Sequence, residues 1–386
     1  MKRLVLLGAS GSIGVQTLDI IRRFPDAYCL AAFGVGHRIE KVAEILGLFP
    51  DVTSFSVAEE KDAAELRKQY PDKEILSGDE GMIALAEREN YDLLVNALVG
   101  FVGFLPTYRA IVTGHDVALA NKETLVCGGT LIEAALQSYG RKLYPIDSEH
   151  SAIWQCLQGN KKEQVERLII TCSGGPFRTF SRQQLQDVTV AQALAHPRWS
   201  MGAKITIDSA DLMNKGFEVI EAHWLFGLPY EKIDVVIHPE STIHSMVEYV
   251  DHSVMAQMAV PDMRLPIAYA LSWPNRHPLP VAALDLLKIG SLHFESPDTD
   301  RFPLLALAYE AGKAGGNQAA VLNGANEAAN AAFRNGLIGF TDIQRIVGAV
   351  VHSSVFEELT DIDALLRADR YGRETAAGMI QGEDKL

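Results

Sequence analysis

The chain has 386 residues, 48% of them hydrophobic and 22% charged, which is enough for two or three domains with separate cores. A formal net charge of −14 argues against nucleic acid, whose phosphate backbone needs a concentrated basic surface, but leaves room for a small anion in a local cationic pocket. No apolar run is long enough to span a membrane, and Met1-Lys-Arg leads straight into a strand with no targeting segment in front, so a cytoplasmic protein is expected.

The chain opens with a buried strand over Lys2–Gly8, a tight turn Gly8-Ala-Ser-Gly-Ser-Ile-Gly14 and an amphipathic helix over Val15–Arg22. Strand, glycine-rich turn and helix in this order form a dinucleotide-binding opening, with the pyrophosphate on the helix N-terminus. A second strand, Tyr28–Gly34, ends in Val35-Gly36-His37-Arg38. An NAD enzyme usually places an acid there for the ribose 2′-hydroxyl; His37 and Arg38 suit a 2′-phosphate instead, which favours NADP over an Arg that merely caps the next helix.

Strands and helices continue to alternate: a strand near Ser54–Val57, helices over about 58–70 and 78–88, a strand over Tyr91–Ala97, a helix after Pro106, a strand over His115–Ala120 and a helix from Thr124 to about Ser138. Near-continuous apolar strands between helices predict a parallel sheet covered on both faces, with ligands at the strands' carboxyl ends. Three segments fall at such ends: Val99–Gly103, Asn121-Lys122-Glu123 and Asp147-Ser148-Glu149. Lys122 would sit beside the nicotinamide and bind a substrate oxygen, or else belong to a helix-start charge cluster.

The last of these segments follows a strand expected over Arg141–Ile146. On an extended backbone residues two apart share a side, so Asp147 and Glu149 would face one pocket, with Ser148 and His150 away from it or on its rim. A hard divalent cation bound through oxygens would resolve their repulsion. The bland alternative is a solvated loop with a helix N-cap.

Beyond Ser151 the rhythm changes. A strand over Glu166–Cys172 runs into Ser173-Gly-Gly-Pro-Phe177, whose glycines let backbone N–H groups approach an anion. The loop His196-Pro-Arg-Trp-Ser-Met-Gly202 carries a mid-loop aromatic that suits a lid or a core anchor. Lys204–Ser209 reads as a further strand and Ala210–Trp224 as mostly helix. On that helix Asn214, Lys215 and Glu218 share a face, and Glu221 lies three further on, so spacing leaves open which glutamate reaches a metal. Val235–His238, Ile243–Val250 and Ser253–Met258 look like antiparallel strands, and the Ala-rich remainder like a small helical bundle. The four cysteines, Cys29, Cys127, Cys156 and Cys172, form no CxxC pair and read as reduced fillers.

Gly8–Gly14, Ala120–Glu123, Asp147–His150, Ser173–Phe177, His196–Gly202, Asp208-Ser209 and Met213–Glu218, in this order over essentially the whole chain, closely resemble the 1-deoxy-D-xylulose 5-phosphate reductoisomerase family. The resemblance implies an α/β fold: an N-terminal Rossmann-type doubly wound parallel sheet (1–150), a central α+β catalytic domain (151–285), a connector (286–311) and a C-terminal helical domain (312–386). It also implies NADPH, a divalent metal ion (Mn²⁺, Mg²⁺ or Co²⁺), a phosphosugar substrate and a homodimer. Asp147, Glu149 and Glu218 would ligate the metal. Ser173, His196, Ser209, Asn214 and Lys215 would hold the phosphate and nearby oxygens, Lys122, Ser148 and Glu149 the reacting polyol, with Lys122 and Glu149 catalytic. Trp199 and Met201 would lie in a lid over about 196–203. Ser10, Gly11, Ser12, Ile13, Gly36, His37, Arg38, Asn121, Glu123 and Gly202 fall where the family binds NADPH. Ser10 stands where many members have Thr, and His37-Arg38 where many have Lys-Asn. The rivals are another NADP-dependent phosphosugar or semialdehyde reductase and a non-catalytic NADP-binding sensor.

Overall fold

The computed structural model describes residues 1–196, 199 and 201–382; Pro197, Arg198 and Ser200 of the expected lid lie outside the described residues. The chain divides into two compact units. The first takes residues 1–124, 132–147 and 263–279, the second 125–131, 148–262 and 280–386.

In the first unit β1 (Lys2–Leu7), β2 (Tyr28–Gly34), β3 (Ser54–Val57), β4 (Glu74–Ser77), β5 (Leu93–Asn96), β6 (Asp116–Leu119) and β7 (Leu143–Pro145) form one seven-stranded sheet in the order 4-3-2-1-5-6-7. Every pairing is parallel. The chain winds outward from β1 to β4, then restarts on the other side at β5, so the order reverses beside β1 at the usual nucleotide-binding crevice. β4 was not expected: Glu-Ile-Leu-Ser is too short for a periodicity to show, and its place at the sheet edge comes from pairing with β3. Leu4, Val5, Leu6 and Leu7 are wholly buried, as a strand covered on both faces requires. The helix Arg264–Ser272, assigned to the central domain by sequence, packs here against the helix Ser12–Arg23. Its buried run Pro266–Ser272 finds a partner surface on this unit, which sequence order does not reveal.

The second unit carries a four-stranded sheet, order β11-β10-β8-β9, built from β8 (Val165–Cys172), β9 (Ile233–Ile237), β10 (Ile243–Tyr249) and β11 (Val254–Met258). β10 is antiparallel to both its neighbours, as expected, but β9 runs parallel to β8. The helix Met213–Phe226 lies between β8 and β9 along the chain and supplies the crossover that a parallel pair needs. The C-terminal part is helical: Leu304–Ala314, Gln318–Arg334, Phe340–Ser353 and Ile362–Gln381.

Two local expectations are overturned. Lys204–Ser209 is not a strand; Ala203–Ala210 is a helix that starts at Gly202, with the Thr206 hydroxyl donating to the Gly202 carbonyl at 2.8 Å. Its short Ile-Thr-Ile alternation mimics a strand, and long-range contacts decide otherwise. Nor is the backbone at Asp147–Glu149 extended: β7 stops at Pro145 and a helix begins at Ser148. Strand alternation therefore does not orient these carboxylates, and Glu149 sits in a helical first turn.

Candidate active site

In the first unit the glycine turn is dictated by close approach. A Cβ on Gly8, whose φ is +83°, would lie 2.3 Å from the Ala97 carbonyl oxygen, and one on Gly14 would lie 2.2 Å from that of Gly8. Only glycine at both ends lets the chain enter the helix Ser12–Arg23, whose first turn holds no acidic residue to repel an anion. Ser10 is buried, whereas Ser12 is exposed at the helix start. The Arg38 guanidinium donates to the Ser10 carbonyl, tying the end of β2 to the turn. His37 projects into solvent, with Nδ1 3.9 Å from Glu59 Oε1. Gly36, just before His37 in the chain, is half-buried.

Asn121 is consumed by structure. Its Nδ2 faces the carbonyls of Leu98 (3.0 Å) and Gly100 (2.8 Å) and Glu123 Oε2 (3.0 Å), while its Oδ1 accepts from the Thr124 hydroxyl at 2.5 Å. The side chain thus clamps the Val99–Gly103 segment. Next to it Lys122, 5% exposed, donates through Nζ to Asp147 Oδ2 at 2.8 Å. This pair fixes the ammonium at the carboxyl end of β6.

In the second unit the helix Met213–Phe226 carries the main constellation. Leu212 in a left-handed conformation (φ 65°) turns the chain into it, and Asp211 Oδ1 accepts from the Met213 N–H at 3.0 Å. Lys215, 3% exposed, donates through Nζ to Glu149 Oε1 at 3.0 Å and to Glu218 Oε2. Burial alone would depress this ammonium, but the Glu149 and Glu218 carboxylates outweigh it and raise the pKa above the ordinary lysine value. Asn214 Nδ2 donates to Glu218 Oε1 at 2.6 Å, and the Ser148 hydroxyl donates to Glu149 Oε2. Two carboxylates thus converge on one cation, with further neutral donors around them. An all-oxygen donor set drawn together by positive charge fits a hard divalent ion, so these residues suit the implied metal.

Packing gives the two glutamates left open by spacing different partners. Glu221, 1% exposed, faces His150 Nδ1 at 3.1 Å, while His150 Nε2 lies 2.9 Å from the Glu218 carbonyl. A carbonyl only accepts, so Nε2–H donates and Nδ1 is the nitrogen turned toward the Glu221 carboxylate. Glu221 and His150 brace the helix; Glu218 reaches Lys215. His150 is thus wholly buried against this helix, though a helical first turn and not strand alternation places it there.

Ser173, at the end of β8, brings its hydroxyl 3.1 Å from His196 Nε2, and His196 Nδ1 accepts from the Trp199 N–H at 3.0 Å. Nδ1 being the acceptor, the proton sits on Nε2 and points at Ser173. Burial holds the His196 pKa below the ordinary value, keeping it neutral at pH 7. The Trp199 ring lies 6.1 Å from that of His244, a buried imidazole that sequence reading passed over because nothing around it forms a motif. Ser209 ends the helix Ala203–Ala210, its hydroxyl donating to the Ile205 carbonyl at 2.8 Å. Met201 is half-buried and Gly202 exposed.

Profiles described as 1-deoxy-D-xylulose 5-phosphate reductoisomerase, its C-terminal domain and the DXP reductoisomerase C-terminal domain match residues 4–129, 143–226 and 258–375. The 1-deoxy-D-xylulose 5-phosphate reductoisomerase of Prosthecochloris aestuarii is 51% identical over 382 residues, which is 98% of this chain and 100% of that one. The chain belongs to the 1-deoxy-D-xylulose 5-phosphate reductoisomerase family. A Geobacillus reductoisomerase is 52% identical over 381 residues, 97% of this chain and 99% of its own. The solved Zymomonas mobilis reductoisomerase in complex with NADPH matches with a TM-score of 0.91 at 40% identity, covering 98% of this chain and 99% of that one. A DOX-P reductoisomerase in complex with NADPH, fosmidomycin and magnesium matches with a TM-score of 0.94 at 40% identity, covering 99% and 98%.

Burial pushes the thiols of Cys156 and Cys172 up to about 11, so neither is a thiolate at neutral pH. Among the described residues no helix is long and apolar enough to cross a membrane.

Proposed function

We infer that the protein is the NADPH-dependent, divalent-metal-requiring enzyme that rearranges and reduces 1-deoxy-D-xylulose 5-phosphate to 2-C-methyl-D-erythritol 4-phosphate, in the non-mevalonate route to isoprenoids. The observation that carries this reading is the single ammonium of Lys215 shared by the Glu149 and Glu218 carboxylates in a family member. We assign residues 1–150 to NADPH, 151–285 to catalysis and 312–386 to the helical C-terminal domain. Asp147, two residues before Glu149 along the chain, is the proposed third metal ligand beside Glu149 and Glu218. Bound there, Mn²⁺, Mg²⁺ or Co²⁺ would supply Lewis acidity at the substrate's carbonyl and hydroxyl oxygens, and NADPH the hydride.

The chain's own residues do the rest. Lys122 donates a hydrogen bond to the reacting oxygen, and its partner Asp147 holds the donor in place. Glu149 takes and returns the hydroxyl proton, since it alone of the carboxylates is both helix-mounted beside Ser148 and partly open, with 19% of its side chain exposed. Ser173, His196, Ser209, Asn214 and Lys215 hold the phosphate, with neutral donors around one fixed charge. Trp199 and Met201 close over it and exclude water. Ser10, Gly11, Ser12, Ile13, Gly36, His37, Arg38, Asn121, Glu123 and Gly202 bind NADPH, with Asn121 also shaping the adjoining loop. A homodimer is proposed through β11, an edge strand that exposes Val254 and Met255. The cytoplasm is the proposed compartment, which suits four cysteines that form no disulfide among the described residues.

The test is loss of nicotinamide absorbance when the purified protein meets NADPH and 1-deoxy-D-xylulose 5-phosphate, with and without Mn²⁺ and with NADH as control. Metal-dependent NADPH oxidation with much slower NADH turnover is the expected result. A folded protein that binds NADPH but oxidises none of it would overturn the assignment.

A further inference from the structure

The helix Gln318–Arg334, far along the chain from the site residues, presents Asn326 and Asn330 four apart and hence on one face. Both Nδ2 groups donate to the same oxygen, Asp208 Oδ1, at 2.9 and 2.8 Å. Lys204 Nζ pairs with Asp208 Oδ2 at 3.0 Å and also lies 5.0 Å from the Phe217 ring centroid. Asp208 is 1% exposed and Asn326 and Asn330 are wholly buried, so this carboxylate is committed to partners inside the protein. Such a cluster costs desolvation that an apolar core would avoid, so its value lies in fixing geometry.

What it fixes is close at hand. Ser209 is the next residue, and a Cβ on Gly175 (φ +70°) would lie 2.7 Å from the Ser209 carbonyl oxygen. The Ser173-Gly-Gly loop is therefore seated directly on the backbone at Ser209. Three residues after Asp208, Asp211 caps the helix that carries Asn214 and Lys215. The two halves of the phosphate pocket thus meet at the turn that Asp208 pins to the C-terminal helix.

We propose that Asp208, held by Asn326 and Asn330, is a positioning residue for the phosphate end of the substrate, and that this is a functional task of the C-terminal helical region. The inference rests on the phosphate-pocket assignment above. Each asparagine contributes a charge-assisted hydrogen bond, and misplacing Ser209 against the Ser173 loop weakens the grip on a dianion without touching the metal carboxylates.

The experiment uses the full chain with Asn326→Ser, Asn330→Ser and the double variant Asn326→Leu/Asn330→Leu. Calorimetric binding of inorganic phosphate is measured alongside KM and kcat for both substrates. In the double variant, the phosphate Kd and the phosphosugar KM rise together by about tenfold, with KM for NADPH and kcat within about twofold. If the double variant fails to fold, the single serine variants show the same split at about threefold. Folded variants whose phosphate Kd and phosphosugar KM match the wild type, or whose kcat alone falls, overturn the proposal. A wild-type protein that does not turn over the phosphosugar refutes the functional reading instead, and the phosphate Kd values still decide whether Asp208 shapes an anion pocket.

Discussion

Replacing Lys215 with Met removes the ammonium shared by Glu149 and Glu218 while keeping most of the side chain's length and apolar volume. Glu218 is 2% exposed and Glu149 19% in their side chains, so neither can call on bulk water to compensate. Breaking a buried pair from one side typically costs about 3–5 kcal/mol, because the charge left behind stays desolvated. At roughly 2–4 °C per kcal/mol for a unit of this size, the metal-free variant should melt about 6–20 °C below the metal-free wild type. A divalent cation can take over the vacated role, so millimolar Mn²⁺ should raise the melting temperature of Lys215→Met more than that of the wild type. The variant should also bind Mn²⁺ more tightly, since an ammonium no longer competes for the carboxylates, and yet bind phosphosugar poorly. The assay is thermal denaturation followed by circular dichroism, in chelator and across a Mn²⁺ titration. Equal melting temperatures in chelator, or equal Mn²⁺ protection, would refute the view that Lys215 is the counter-charge of the metal carboxylates.

Other outcomes follow from the same geometry. Glu218→Gln should shift the Mn²⁺ concentration for half-maximal rate upward by about tenfold or more, and full activity at limiting Mn²⁺ would show that Glu218 is not a ligand. Arg38→Ala should raise KM for NADPH by about tenfold with little change for NADH; parallel changes for both cofactors would mean that Arg38 only holds Ser10 in place. Burial takes His244 down to about 4, a depressed value, so its contribution to stability is complete above the unfolded value of 6.5 and is lost as pH falls from there to about 4. That linkage amounts to about 3 kcal/mol, and His244→Gln should flatten the melting-temperature profile over this window; an unchanged slope would point to another group. Cys172→Ser should keep kcat within about threefold, whereas loss beyond a hundredfold would put a thiol back into the chemistry.

The dinucleotide-binding opening was legible in the sequence because its determinants are local. An apolar strand, glycines at the two ends of a turn where backbone meets backbone, and an amphipathic helix are consecutive in the chain. The alternation up to residue 150 announced a parallel sheet for the same reason, missing only the short edge strand Glu74–Ser77. The order of motifs from Gly8 to Glu218 carried the family, and the matching profiles bear that out.

Tertiary structure decided what local pattern left ambiguous. Spacing put Glu218 and Glu221 on one helix three residues apart; only packing gave Glu221 to His150 and Glu218 to Lys215. Lys204–Ser209 satisfied a two-residue period over too few residues to exclude a helix. The deciding partners of Asp208 lie 118 and 122 residues away, beyond the reach of any local rule. Sequence determined which chemical groups this protein possesses and the order in which its elements follow one another along the chain. The fold determined which buried charge meets which partner, because desolvated groups must be satisfied by whatever neighbours the tertiary structure brings to them.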